Sequence, residues 1–160
     1  MEELTIKFAK REDAHVVLEF IKKLADYEKL SDQVSATVEG LKKSLFAENS
    51  NAEALIGYFK NKPVTFALFF HNYSTFLGKK GLYLEDLFVL PEFRGRGFGK
   101  SMLIYLAKLA VERDCGRLEW SVLDWNTPAL EFYKSIGAEL KTEWILNRLS
   151  GETLKSLASS

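Results

Sequence analysis

Two neighbouring acids interrupt an otherwise apolar run. Residues 82–90 read Leu-Tyr-Leu-Glu-Asp-Leu-Phe-Val-Leu, so Glu85 and Asp86 are its only charged side chains. A carboxylate in a buried strand is costly unless it is paired or takes part in chemistry. Neighbours on a strand point to opposite faces, which predicts that these two acids do not form a side-by-side dyad. One of them can face a cleft as a base whose pKa is raised by apolar neighbours, or both can be salt-bridged structural residues at a sheet edge.

The glycine loop, residues 94–100, follows this strand directly and reads Arg-Gly-Arg-Gly-Phe-Gly-Lys. Glycines let the backbone approach a ligand closely, and the N-terminus of the helix predicted beneath them offers free N–H groups and partial positive charge. Because Arg94, Arg96 and Lys100 add full charges, the loop is predicted to hold a pyrophosphate. The alternative is a glycine-rich turn that binds nothing.

The glycine spacing argues against two common nucleotide-binding loops. A P-loop needs G-x-x-x-x-G-K-[ST]; residues 99–101 supply its end, but Arg94 stands where the first glycine belongs. A dinucleotide-binding fold needs G-x-G-x-x-G in its first βα unit, whereas this G-x-G-x-G lies mid-chain. A nucleotide-binding protein is therefore the weaker interpretation.

The pattern Arg94-x-x-Gly97-x-Gly99, between an apolar strand and a helix, resembles the acetyl-CoA signature of the GNAT superfamily of N-acetyltransferases. The resemblance extends along nearly the whole chain. Finer motifs resemble the diamine (spermidine/spermine) N-acetyltransferase family: Leu-Tyr-Leu-Glu-Asp at 82–86, Asp-Trp-Asn at 124–126, Glu-Phe-Tyr-Lys at 131–134 and Asp-Tyr-Glu at 26–28.

One loop separates this chain from the polyamine-specific members. Those members carry an acid ahead of the Leu-Tyr-Leu-Glu-Asp motif, where this chain has Tyr-Ser-Thr-Phe at 73–76. The Ser-Thr pair, together with residues 122–126, resembles the thialysine N-epsilon-acetyltransferase branch. Replacing an acid by hydroxyls removes attraction for a second, remote ammonium and can accommodate an α-amino-acid head. The resemblance therefore implies a lysine-like amino acid as the favoured substrate.

The resemblance also implies a role for each matching position. The acetyl group of acetyl-CoA would pass directly to a primary amine in a ternary complex, with Glu85 as a base acting through water and Tyr133 as general acid. The expected cofactor-binding residues are Leu87, Phe88, Val89, Arg94, Gly95, Arg96, Gly97, Phe98, Gly99, Lys100, Asn126, Thr127, Pro128 and Ala129. The expected substrate-binding residues are Tyr27, Glu28, Glu85, Asp86, Glu119, Trp120 and Ser121. Family members are typically homodimers with the site near the subunit interface, and no metal is expected.

The residues themselves agree with amine acetylation. A primary alkylamine has a pKa of about 10.4 and arrives as an ammonium, which is not a nucleophile. Acids attract it and one of them must relay its proton, a task that suits Glu28, Glu85 and Asp86. A backbone N–H near Val89 can then stabilise the oxyanion. A tyrosine in a short helix is more often a core residue than a catalyst, so only the resemblance assigns the acid role to Tyr133.

Two alternative functions remain compatible with the sequence. A protein lysine or N-terminal acetyltransferase would need an open peptide groove, and no feature of the sequence indicates one. A non-catalytic acyl-CoA-binding module would not need Glu85 and Tyr133, and both are present.

The elements that must position these residues follow from hydrophobic periodicity. Their order, β-α-α-β-β-β-α-β-α-β, predicts an α/β fold with a mixed sheet and helices on both faces. The GNAT resemblance implies a twisted sheet of about six to seven strands in a single domain, 1–160. The predicted strands are 4–9, 52–60, 64–73, 81–90, 118–123 and 144–149, and the predicted helices are 12–30, one that begins after Thr37, 95–114 and 127–136.

Composition limits the function classes. A chain of 160 residues with 47% hydrophobic side chains is long and apolar enough for one folded domain. Its 22 basic and 22 acidic side chains cancel, which argues against a general nucleic-acid binder. A single cysteine, Cys115, and two histidines are poor material for a disulfide or a zinc site. Residues 1–7 lack the apolar run of a signal peptide and no run is long enough to span a membrane, so we expect a soluble, cytoplasmic chain.

Overall fold

The computed structural model describes residues 3–160, so the first two residues of the predicted domain 1–160 lie outside the described residues. The chain divides after Ser121 into two compact units, and the second begins at Val122. The N-terminal unit contains β1 (Thr5–Phe8), α1 (Ala14–Tyr27), α2 (Val38–Lys43), β2 (Ala52–Phe59), β3 (Lys62–Ser74), β4 (Lys79–Val89), α3 (Phe98–Glu112) and β5 (Leu118–Trp120). The C-terminal unit contains α4 (Thr127–Ser135) and α5 (Gly151–Ala158).

The five strands form one mixed sheet in the order β1-β2-β3-β4-β5. All neighbours are antiparallel except β4 and β5, which are parallel. On one face, which we call the α1 face, the ring of Phe20 stacks on that of Phe66 at 5.5 Å. On the other, the α3 face, Arg113 at the end of α3 lies over the ring of Phe69. The prediction of a mixed sheet with helices on both faces is confirmed for this unit.

Local signals explain several element ends. The Thr37 hydroxyl accepts a hydrogen bond from the Gly40 amide at 3.0 Å and caps α2, as predicted. The β2–β3 hairpin turns at Lys60 and Asn61, which both have positive φ, as two-residue hairpin turns require. Lys62 and Pro63 were predicted to lie in that turn, but they already belong to β3.

The C-terminal unit contradicts one predicted strand. Residues 144–149 form no strand, and Trp144, Ile145 and Leu146 are exposed. Apolar and β-branched residues give a segment strand propensity, but a strand also needs a neighbour for its backbone hydrogen bonds, and this unit contains no strand within residues 122–160. Within residues 3–160 the sheet therefore has five strands rather than six or seven. The helix α5 was not predicted.

The start and end of α4 do agree with the sequence. The Asn126 side chain accepts a hydrogen bond from the Ala129 amide at 3.4 Å, and Pro128 lies in the first turn. Gly137 follows the helix with a φ of 90°, a conformation that favours glycine.

Candidate active site

A β-bulge separates the two acids of β4. Leu68 of β3 is opposite Asp86, while the next residue, Phe69, is opposite Leu84, so Glu85 has no partner in β3. A bulge interrupts the strict alternation of side chains. Glu85 and Asp86 were predicted to point to opposite faces because strand side chains alternate. At this point of β4 the bulge interrupts that alternation, so the premise of the prediction does not hold here.

The carboxylate of Asp86 lies in a strongly acidic environment. Burial, followed by the negative charges of Glu85 and Glu28, raises the pKa of Asp86 to about 6. Burial also raises the pKa of Glu28, the residue that ends α1. Within residues 3–160, no basic side chain forms an ion pair with any of these three acids. The group, which we call the acidic cluster, can attract a cation, because its charges are not neutralised by the protein.

Arg94 connects the acidic end of α1 to the glycine loop. Its guanidinium carbon lies 4.7 Å from the centre of the Tyr27 ring and 5.2 Å from that of Phe88. Its Nε donates a hydrogen bond to the carbonyl of Val89 at 3.0 Å. The predicted phosphate-binding residue Arg94 is thus held against the predicted substrate-binding residue Tyr27.

The glycine loop has the backbone geometry of an anion-binding turn. Gly95 and Gly97 have φ of 76° and 82°, and a Cβ at Gly95 would meet nothing within 4 Å, so its open side is accessible. Helix α3 begins at Phe98, and its first amides have no partner within the helix. Arg96 lies over the rings of Phe59 and Phe93. The loop therefore fits a pyrophosphate, and Phe98 itself is buried beneath it.

The edge of β4 beyond the bulge has no strand beside it. Strand β5 pairs with β4 only at Leu82, Tyr83 and Leu84. Among the described residues, no strand pairs with residues 85–89 on that side. This stretch includes the predicted cofactor-binding residues Leu87, Phe88 and Val89, and an extended, amide-containing chain can lie along such an edge.

Strand β5 places two of the three predicted substrate residues on one face. Tyr83 and Ser121 share a hydrogen bond of 2.8 Å between their hydroxyls, and Asn72 donates to Glu119 at 3.3 Å. Trp120 lies between Glu119 and Ser121, so alternation turns it to the other face.

The remaining predicted residues belong to the C-terminal unit. Asn126, Thr127, Pro128 and Ala129 form the start of α4, and Tyr133 lies within the same helix. The orphan amides at a helix start can donate to a ligand, as at the glycine loop.

The sequence analysis missed three features of the N-terminal unit. Arg117 forms an ion pair with Glu119, with Nε 2.8 Å from Oε1, and this could have been found from their i, i+2 spacing on one strand face. The bulge at Glu85 has no signal in the sequence, since it depends on the partner strand. The ion pair between Arg113 and Glu53, which are 60 positions apart, also had no local signal.

The described residues contain neither a metal-binding group nor a membrane-spanning helix. In the part of the chain from residue 3 onward, no group of three or more His, Cys, Asp or Glu side chains is arranged to hold a metal ion. No helix in that part has both the length and the apolar character needed to cross a bilayer.

Residues 18–138, which include the acidic cluster and the glycine loop, match the model of the acetyltransferase (GNAT) family. The chain belongs to the GNAT family. This GNAT chain is 37% identical over 164 residues to a thialysine N-epsilon-acetyltransferase of Bos taurus, with 96% of each chain covered. It is 48% identical over 92 residues to an L-ornithine N5-acetyltransferase of Arabidopsis thaliana, which covers 58% of this chain and 40% of that protein.

A solved structure has a similar fold along the whole chain. An integron cassette protein from the mobile metagenome of V. cholerae superposes with a TM-score of 0.83 at 30% identity, covering 100% of this chain and 99% of that one. The GNAT chain is therefore an acyltransferase with acetyltransferase activity, and the resemblance found in its motifs is confirmed.

Proposed function

We propose that this chain transfers the acetyl group of acetyl-CoA directly to the primary amine of a small diamine, polyamine or lysine-like amino acid, with thialysine favoured, in a ternary complex. One observation carries the proposal. An unneutralised acidic cluster, an open strand edge and a positively charged glycine loop follow one another, and residues 85–100 supply all of them except Glu28. An ammonium, an amide-containing arm and a pyrophosphate need these three surroundings in that order.

The fit to acetyl-CoA rests on the loop and the edge. The loop residues, the open edge from Leu87 to Val89 and the start of α4 would hold the pyrophosphate and the pantetheine arm. When bound, acetyl-CoA supplies a thioester carbonyl that an amine can attack. Acetyltransferases of the GNAT family use this co-substrate.

The chain's own acids prepare the amine. Glu28 and Asp86 would attract the substrate ammonium, and Glu85 would take its proton through a water molecule. The neutral nitrogen would then attack the carbonyl carbon, forming the N–C bond as the C–S bond breaks, and it would release a second proton that replaces the one Tyr133 gives to the sulfur. A backbone N–H near Val89 would stabilise charge on the carbonyl oxygen, and Tyr133 would donate a proton to the departing thiolate.

Relatives support the substrate class. The names of the cattle and Arabidopsis relatives specify amines at the end of an amino-acid side chain. We also infer a homodimer, from the family resemblance, and a cytoplasmic location, which the single cysteine supports.

The proposal is tested by following CoA release from acetyl-CoA with thialysine, lysine, diamines, spermidine and a lysine peptide. We expect turnover with small amines and none with the peptide. Absence of turnover with every amine, together with absence of CoA binding, would overturn the proposal, and turnover with the peptide alone would favour a protein acetyltransferase.

Tyr133→Phe tests the acid. We expect it to lower kcat by about tenfold or more while the Kd for acetyl-CoA stays the same, because only the proton donor is removed. Unchanged kcat would remove Tyr133 from the mechanism.

A further inference from the structure

A pair of opposite charges lies on the same sheet face as the acidic cluster. Arg117 and Glu119 of the β5 region form an ion pair, and their side chains are 37% and 39% exposed, so a small molecule can reach both. The Asn72 amide donates to the same oxygen, Glu119 Oε1. Arg117 Nη2 donates to the carbonyl of Tyr73 at 3.3 Å. This polar group is held from several sides.

The outer atoms of the pair remain available. In the described part of the chain, no hydrogen bond reaches Nη1 of Arg117 or Oε2 of Glu119. The Oδ1 of Asn72 is buried without a hydrogen bond, and the buried Nε of Arg117 has only its ion-pair contact with Glu119. Buried polar atoms without partners are unusual and call for an explanation. Arg117 and Glu119 each keep one outer atom for a ligand, Nη1 and Oε2. A ligand that carries both a negative and a positive charge can bind to both.

The surroundings keep this pair in place. A Cβ at Gly81 would overlap Oδ1 of Asn72 and lie 3.2 Å from Cγ of Arg117, so a larger residue there would require the Asn72 side chain to move. Glu119 is also directly opposite Tyr83, whose hydroxyl bonds Ser121.

The distance to the acidic cluster matches a short side chain. Tyr83, which is opposite Glu119, precedes Asp86 by three residues, or about 10 Å along a strand, somewhat less across a bulge. The five single bonds from the ε-nitrogen of a lysine-like amino acid to its Cα span about 6 Å. Its contacts with the protein at each end account for the remaining distance between Glu119 and Asp86.

We propose that Arg117 and Glu119 bind the α-carboxylate and α-ammonium of an amino-acid substrate, so that its terminal amine reaches the acidic cluster. This inference rests on the proposed acetylation of small amines and specifies its acceptor. Arg117 is the specificity-determining residue, because only an amino acid, and not a diamine, offers a carboxylate. A site that provides hydrogen bonds to a group discriminates strongly against an analogue that lacks it.

Two substrates that differ only in this carboxylate test the proposal. Thialysine and bis(2-aminoethyl) sulfide are compared for kcat and KM with the wild type, Arg117→Gln and Glu119→Gln. We expect Arg117→Gln to lower kcat/KM for thialysine at least about tenfold, through KM, while the value for the diamine stays within about twofold. Glu119→Gln is expected to weaken both substrates, because both carry the remote ammonium.

Matched variants separate specificity from stability. Arg113→Gln removes the ion-paired arginine of the α3 face and should leave the substrate ratio unchanged. Arg117→Lys keeps the charge and stem beside Gly81, and should retain more of the thialysine preference than Arg117→Gln. Equal losses for both substrates, or no preference in the wild type, overturn this inference while amine acetylation stands. Failure to acetylate any small amine, together with absence of CoA binding, overturns the proposed function itself.

Discussion

The carboxylate of Glu53 and those of the acidic cluster lie on opposite faces of one sheet, and their surroundings differ. On the α3 face, Glu53 accepts two hydrogen bonds from the Arg113 guanidinium, at 2.6 and 3.1 Å, and Arg113 Nη1 also lies 3.4 Å from His71 Nε2. The hydrogen bonds and charge of Arg113 lower the pKa of Glu53. In the acidic cluster, burial and like charges raise the pKa of Asp86 to about 6.

Structural and reactive acids therefore differ in their surroundings within one sheet. A neutralised carboxylate contributes to the fold and is not available to a substrate. An acid surrounded by other acids destabilises the folded state and remains available to a substrate. Functional sites commonly have this property. The same substitution at the two sites should therefore have opposite consequences.

Glu85→Gln should give the largest effect. We expect kcat/KM for the amine to fall about 100-fold at pH 7, and further at lower pH, where the amine is harder to deprotonate. Steady-state rates from pH 6 to 9 measure this. Glu53→Gln is the matched control and should stay within about twofold of the wild type; an equal loss in both variants would contradict the distinction.

Asp86→Asn should stabilise the protein as it lowers activity. Since the folded pKa is raised above the usual Asp value, Asp86 favours folding only at low pH, and this contribution is lost as pH rises through about 6. Its replacement should raise the free energy of unfolding by on the order of 2 kcal/mol at pH 8, and by little at pH 4. Urea denaturation at both pH values measures the difference.

Glu53→Gln should have the opposite sign in the same experiment. Its lowered pKa means that Glu53 stabilises the fold above the usual Glu pKa and loses this contribution as pH falls. The pair is partly exposed, so solvent screening limits the loss to about 1 kcal/mol at pH 8. A gain in stability from Glu53→Gln would remove the contrast.

The smallest effect concerns the pH profile. If ionised Asp86 attracts the amine, kcat/KM should decline below about pH 6. Glu28→Gln removes one of the charges that raise this pKa, so the decline should move to lower pH by about half a unit. If kcat/KM declines at the same pH in Glu28→Gln as in the wild type, Glu28 does not influence the pKa of Asp86 during the reaction.

Most elements followed from periodicity and end signals, because these are local. The helix that begins after Thr37 and the helix over 127–136 were predicted in this way, and the structure contains both. Residues 144–149 were mispredicted because strand formation depends on a neighbour that a local pattern does not reveal.

The site was predicted unevenly for the same reason. The glycine loop is one continuous motif, and its charges and helix start lie together in the sequence. The relation of Glu28 to Asp86 joins the end of α1 to the middle of β4, and only the fold makes it visible. The ion pair of Arg117 with Glu119 has a signal in the sequence, because residues two apart on a strand lie on the same face, but it was not predicted.

The bulge at Glu85 also determines how β4 tolerates insertions and deletions. Before it, the odd-numbered Tyr83 lies on the α1 face; after it, the even-numbered Phe88 does. Strand β4 pairs with β3 in the same alternation on both sides of Glu85, so deleting Glu85 would remove the bulge and leave both Tyr83 and Phe88 on the α1 face. The strand can therefore lose this one residue without turning its other side chains to the opposite face, although the proposed base is lost with it.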